Sequence, residues 1–173
     1  PMPAPSTTQA AQPKKRRLFG PVLRDKRFAG FSAAYVLTRI GSILVFSLLA
    51  VYAKENHGIP ESQYGFLMTI NAGMVVFFQL AVTRLTVKHR TFSTLALGAL
   101  IYAVGVGSIA FGRSFWAFAV SIVVMTLGEL LVAPTATTTV ANLAPSDMHG
   151  RYMGAFWMLV SIARAIGPMF GGL

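Results

Sequence analysis

Five long apolar stretches, 28–53, 64–82, 93–111, 115–141 and 152–173, take up most of this 173-residue chain. A bilayer core needs about 20 apolar residues per helical crossing, so each stretch is long enough to span one. None alternates apolar and polar residues with period two, which excludes a membrane β-barrel. The expected fold is therefore all-α: a polytopic transmembrane bundle of five helices over 28–173, preceded by a cytoplasmic linker over 1–27. The connections, 54–63, 83–91, 112–114 and 142–151, are short, so consecutive helices are expected to be antiparallel neighbours.

Composition supports a lipid-embedded chain, since 54% hydrophobic and only 12% charged residues lie far from the balance of a soluble domain. A net charge of +10 on a polar domain would suggest nucleic acid. Here the cations gather at the ends of the apolar stretches, so the expected partner is the lipid bilayer and no nucleic acid is expected. If the N-terminus is inside, the inside loops carry eleven Lys and Arg and the outside loops two, Lys54 and Arg113. That bias predicts an integral protein of the cell (inner) membrane with a cytoplasmic N-terminus. Residues 1–13, rich in Pro, Ala, Ser, Thr and Gln, read as a linker. The basic stretch 14–27 reads as a solvated, positive-inside loop or as a headgroup contact. The start at Pro1 and the odd number of spans give the expectation of a fragment, with earlier helices and one later helix missing.

Without a hydrophobic force between helices in lipid, close contact depends on small residues repeating every four positions. Gly65, Thr69 and Gly73 form one such series, Ala99, Ala103 and Gly107 a second, and Ala163, Gly167 and Gly171 a third. Two prolines, Pro134 and Pro168, interrupt the hydrogen-bond ladder and release the carbonyls of Leu130 and Arg164. The run Thr135, Thr137, Thr138 and Thr139 offers hydroxyls to re-satisfy the first of these. Both prolines are expected to kink their helices, either as a static fit or as a hinge.

The last span reads Gly154, eight residues, Ala163, three residues, Gly167-Pro168, two residues, Gly171-Gly172. This resembles the Gly-x8-Gly-x3-Gly-Pro-x2-Gly-Gly motif of major facilitator antiporters, with alanine at the second glycine. The segment 144–154 is similar to that family's loop between helices ten and eleven, and 83–90 to the loop between eight and nine. The resemblance implies helices seven to eleven of twelve, in the drug/proton antiporter branch that includes multidrug efflux proteins. It implies a missing N-terminal half, a small-molecule substrate and a proton as partners, and proton-coupled transport across the membrane. The loop 83–90 keeps Arg84, Lys88 and Arg90 but lacks the glycine and aspartate of the family's gating motif, so it reads as a plain positive-inside loop.

Three ionisable side chains fall at mid-depth: Arg39, Glu129 and Arg164 lie about 16 to 21 Å into their spans at 1.5 Å per residue. An unpartnered charge there costs roughly 2.5 to 3.5 kcal/mol, so each should face a partner or a wet cavity. Asn71, Gln79 and Trp157 add polar and aromatic character suited to coupling or substrate binding. Glu129 is the expected coupling carboxylate: burial favours its neutral form and a neighbouring guanidinium its charged form. A structural ion pair of Glu129 with Arg39 or Arg164 is the competing reading.

No catalytic constellation is expected. His57, His89 and His149 fall in loops without metal-ligand spacing, and no phosphate-binding loop of the GxxxxGK[ST] kind occurs. The chain is read as a non-enzyme with no cofactor and no metal. A non-transporting membrane scaffold or assembly subunit is the alternative from a different class.

Overall fold

The computed structural model describes residues 20–171, and the expectations for 1–19 and for Gly172 lie outside them. Six helices follow one another with no strand among the described residues: α1 (Gly20–Arg24), α2 (Lys26–His57), α3 (Glu61–Thr86), α4 (Thr91–Ile109), α5 (Phe115–Leu143) and α6 (His149–Gly171). The all-α bundle expected from the apolar stretches is the fold observed. Among the described residues, α2 to α5 have both the length and the apolarity to cross a membrane. The fifth expected span, α6, has the length at 23 residues but differs from those four by being the most one-sided helix. It carries Arg151 and Arg164 within its turns.

Local chemistry sets the helix limits. Asp25 starts α2 by accepting hydrogen bonds from the Arg27 and Phe28 backbone nitrogens at 2.9 and 3.3 Å. Gly58 ends it with φ 65°, a left-handed geometry that favours glycine. The Ile59 and Gly58 amides then reach back to the Ala53 and Lys54 carbonyls, both at 3.1 Å. This cap draws 54–57 into the helix and leaves a connection much tighter than the expected 54–63. At the other end, part of the expected linker is ordered as α1, because Val22 is fully buried against the start of α2.

The centre of the bundle is α5, half of whose most apolar stretch is buried and which meets α2, α3, α4 and α6. Its closest neighbour is α4, and glycine makes that approach possible. A Cβ added at Gly128 would lie 2.5 Å from the Tyr102 backbone nitrogen and 2.7 Å from the Gly98 carbonyl oxygen. One added at Gly105 would run into the Met125 backbone. The seam thus uses Gly98, Tyr102 and Gly105, spaced four and three apart on one face of α4.

The expected series Ala99, Ala103 and Gly107 lies one step round the helix, on a groove that faces Leu37, Thr38 and Gly41 of α2. Gly65 and Gly73 of α3 meet nothing within 4 Å. In the third series Gly167 is buried against the Ile43 side chain of α2, Ala163 is half-buried, and Gly171 closes α6. Gly154 has open space around it.

Two apolar clusters result. One joins the end of α2 and the start of α3 to α4 and α5 through Leu49, Leu67, Ile109, Phe118 and Ile122. The other joins α1 and the start of α2 to α5 and α6 through Val22, Phe28, Tyr35, Val140 and Phe156. Arg39 follows Tyr35 of one cluster and precedes Val45 of the other along α2, and Glu129 falls between Met125 and Val132 along α5 in the same way. The polar site described next therefore sits where the two apolar clusters meet.

Candidate functional site in the helical bundle

Arg39 and Glu129, ninety residues apart in sequence, form an ion pair. Arg39 Nη1 donates to Glu129 Oε1 at 2.7 Å, with only 10% and 16% of the two side chains exposed. The Arg39 guanidinium also lies over the Tyr102 ring, 5.9 Å from its centroid, so α4 holds the arginine from a third side. One turn on, the Ser42 hydroxyl donates to the Arg39 carbonyl at 2.9 Å. The cation is thus oriented by α2, α4 and α5 together.

The pair lines an open cavity of about 460 Å³ with Ser42, Ile43, Phe46, Ser47, Asn71 and Arg164. Of the residues expected to form the site, the structure brings together Arg39, Glu129, Arg164 and Asn71. The Asn71 amide donates to the Thr126 hydroxyl at 2.8 Å, which fixes its orientation across α3 and α5. Arg164 is exposed and lines the cavity, and the ion pair of Glu129 is made with Arg39.

Gln79 and Trp157 stand apart from this cavity. The Gln79 amide nitrogen donates to the Leu130 carbonyl at 3.3 Å and to the Thr83 hydroxyl at 3.2 Å. Leu130 is the residue whose carbonyl Pro134 frees, so this amide occupies the place expected for the threonine hydroxyls. The hydroxyls serve other carbonyls: Thr135 donates to Leu131, Thr137 to Ala133 and Pro134, Thr138 to Pro134, and Thr139 to Thr135. Gln79 is therefore a tie between α3 and α5 at the proline. Trp157, 45% exposed, packs edge-on to Phe156 with ring centroids 5.4 Å apart. Pro168 lies within α6, one residue past the Gly167 contact.

A contact between the starts of α2 and α6 was not legible in the sequence. The Tyr152 hydroxyl donates to Asp25 Oδ2 at 2.9 Å, and its ring meets Phe28 edge-on at 5.0 Å. These backbone and hydroxyl donors, led by the Phe28 amide, hold the Asp25 carboxyl below its usual value of 3.8. The cap signal at Asp25 was present in the sequence, but its long-range partner was not. No group of three or more His, Cys, Asp or Glu placed to hold a metal occurs among the described residues.

Comparison with known proteins finds relatives among membrane transporters. The chain is 30% identical to the uncharacterised MFS-type transporter YttB of Bacillus subtilis, over 82% of its own length and 36% of that protein's. It is 25% identical to a Na(+), Li(+), K(+)/H(+) antiporter of Planococcus maritimus, over 87% of the chain and 39% of the antiporter. It is 28% identical to the multidrug resistance protein MdtH of Yersinia enterocolitica, over 99% of the chain and 42% of that protein. The chain thus spans well under half the length of these relatives. No solved structure matches it. The sequence pattern of the Major Facilitator Superfamily matches residues 2–173, and the chain belongs to that family of membrane transporters.

Proposed function

We propose that the chain is most of one helical half, helices seven to eleven, of a secondary transporter that moves a small, drug-like solute by alternating access coupled to a proton gradient. Its N-terminus faces the cytoplasm and its lipid is the cell membrane, as the cation bias favours. The observation that carries the reading is the Arg39–Glu129 pair in an open polar cavity. Relatives named as a multidrug resistance protein and as a cation/proton antiporter support a drug-like solute and a coupling proton.

The pair supplies the coupling step. With Glu129 ionised, Arg39 draws α2 onto α5 and the two charges satisfy each other. A proton on Glu129 removes that attraction and leaves Arg39 unpartnered, a change worth about 3 to 5 kcal/mol at a buried pair. Only a state that gives Arg39 a new partner, from the solute or from the opposite half, recovers this energy. The proton on Glu129 and the new partner on Arg39 are thus held in the same state, and the cavity changes shape with them. Asn71 and Arg164 present polar contacts to the solute, whereas Gln79 ties α3 to α5 and Trp157 acts by packing.

The test uses the full-length protein in sealed vesicles with a panel of drug-like dyes. Glu129→Gln should retain dye exchange at equal pH and lose accumulation driven by a pH gradient. Full gradient-driven accumulation by this variant would remove Glu129 from coupling.

A further inference from the structure

The cavity holds two guanidiniums against one carboxylate. Arg39 is matched by Glu129, and its remaining face lies on the Tyr102 ring. Arg164 lines the same space, is exposed, and makes no hydrogen bond or ion pair to another described residue. It lies well inside α6, between the Val160 level of the buried cluster and Gly167 on Ile43, so the helix is held on both sides of it. Arginine cannot shed its proton in a protein, so the excess positive charge is permanent. Its planar fork suits carboxylate, sulfonate and phosphate oxygens. Beside it, Ile43 and Phe46 give an apolar wall and Ser47 a hydroxyl.

We propose that this cavity binds a small amphipathic anion, with an apolar body on Ile43 and Phe46 and its anionic group on Arg164, while Arg39 stays on Glu129. The proposal deepens the transporter reading and rests on it for the identity of the cavity as the transport site. It also sets the sign of the linkage to protons. Charged and titratable groups around Glu129 are Tyr35 and Arg39 from α2, Tyr102 from α4 and Arg164 from α6, and α3 adds only the neutral Asn71. Glu129 is the one carboxylate among them, and its charge opposes an incoming anion. Protonating Glu129 removes that opposition and frees Arg39 as a second donor, so anion and proton strengthen each other's binding. A cationic solute would instead compete with the proton. The charge balance of the cavity therefore favours co-binding over the exchange typical of the antiporter branch that the sequence resembles.

The experiment is calorimetric binding of benzoate, 1-naphthoate and 1-naphthalenesulfonate, and of the matching arylammonium ions, to the full-length protein in phosphatidylcholine nanodiscs. Saturable anion binding is expected, weakened at least tenfold by Arg164→Gln, partly restored by Arg164→Lys and tightened at least threefold by Glu129→Gln. Opposite shifts by these two variants are not produced by general loss of folding, and melting curves of each confirm the fold. No anion binding in any of the three, or equal binding by Arg164→Gln, overturns the proposal. Repeating the titration with phosphatidylglycerol added separates solute from lipid: unchanged binding supports a solute site, and complete displacement assigns Arg164 to headgroups and overturns it. Flux in vesicles keeps the two readings distinct. Transport of the ammonium ions alone removes the anion site and leaves the transporter, whereas Arg164-dependent binding with no flux removes the transporter and leaves the site.

Discussion

The seam between α4 and α5 and the cavity between α2, α5 and α6 share one helix and are built on opposite principles. At the seam, Gly98, Gly105 and Gly128 bring two backbones together until no side-chain atom fits between them. At the cavity, α5 presents Glu129 instead of a glycine, and the space beside it stays open at about 460 Å³. Neighbouring residues of one helix, Gly128 and Glu129, thus serve a fixed contact and a polar site. In lipid the first is held by dispersion and cannot be loosened by a proton, whereas the second is held by charge and can. The fixed contact of the bundle is therefore α4 with α5, and the proposed coupling acts on the contacts toward α2 and α6.

The largest expected effect breaks the seam. Gly128→Leu places a side chain where the Tyr102 backbone lies and should destabilise the full-length protein by about 3 kcal/mol or more. Gly107→Leu, which enters open space, should leave melting nearly unchanged. Similar melting of the two variants would mean that α4 and α5 are not in contact as described.

The second prediction loosens the cavity. Glu129→Gln and Arg39→Gln should each cost about 3 kcal/mol, because each leaves a partner charge without its counterion. The double variant should recover most of that loss. A double-mutant cycle on melting measures the coupling, and additivity of the two losses would contradict a direct pair.

A third, smaller effect concerns the junction of the two regions. Gln79→Leu should cost about 1 to 2 kcal/mol by leaving the Leu130 carbonyl without its donor. Adding Pro134→Ala supplies a backbone N–H to that carbonyl and should return the loss. If Gln79→Leu were equally costly with alanine at 134, the amide would have some other role.

How much of this was legible in the residues follows from the range of each interaction. The five long helices were readable because apolar length is local, whereas the short α1 reads as linker because its order depends on Val22 packing against α2. Close packing through small residues was also readable in kind, but the face was not: Ala99, Ala103 and Gly107 have the better series, while the partner helix selects Gly98 and Gly105. A one-step rotation about α4 costs nothing in the sequence pattern and everything in the contact. The mid-depth charges identified Arg39, Glu129 and Arg164 as a group. Which arginine pairs with the acid depends on the approach of α2 to α5, a property of no single segment. Gln79 had the polarity of a substrate contact, and only the placement of Pro134 beside it in space gave the amide its job.

The smallest effect lies at the start of α2. Asp25 has a lowered folded value, so its contribution to stability is complete above 3.8 and is lost as pH falls through that lower value. Because Asp25 is only partly buried, the effect should be slight. Tyr152→Phe removes one of its donors and should flatten the dependence of melting on pH below 4, and an unaltered profile would show that the hydroxyl contributes nothing.

Infrared difference spectroscopy of the full-length protein in lipid, comparing wild type with Glu129→Gln as pH is lowered, follows the protonation of Glu129 itself. The account predicts a protonated-carboxyl band that is absent from the variant and that rises over the pH range in which transport is coupled. A carboxylate that stays ionised on Arg39 throughout that range, giving no such band while the wild type still couples transport to protons, would contradict it.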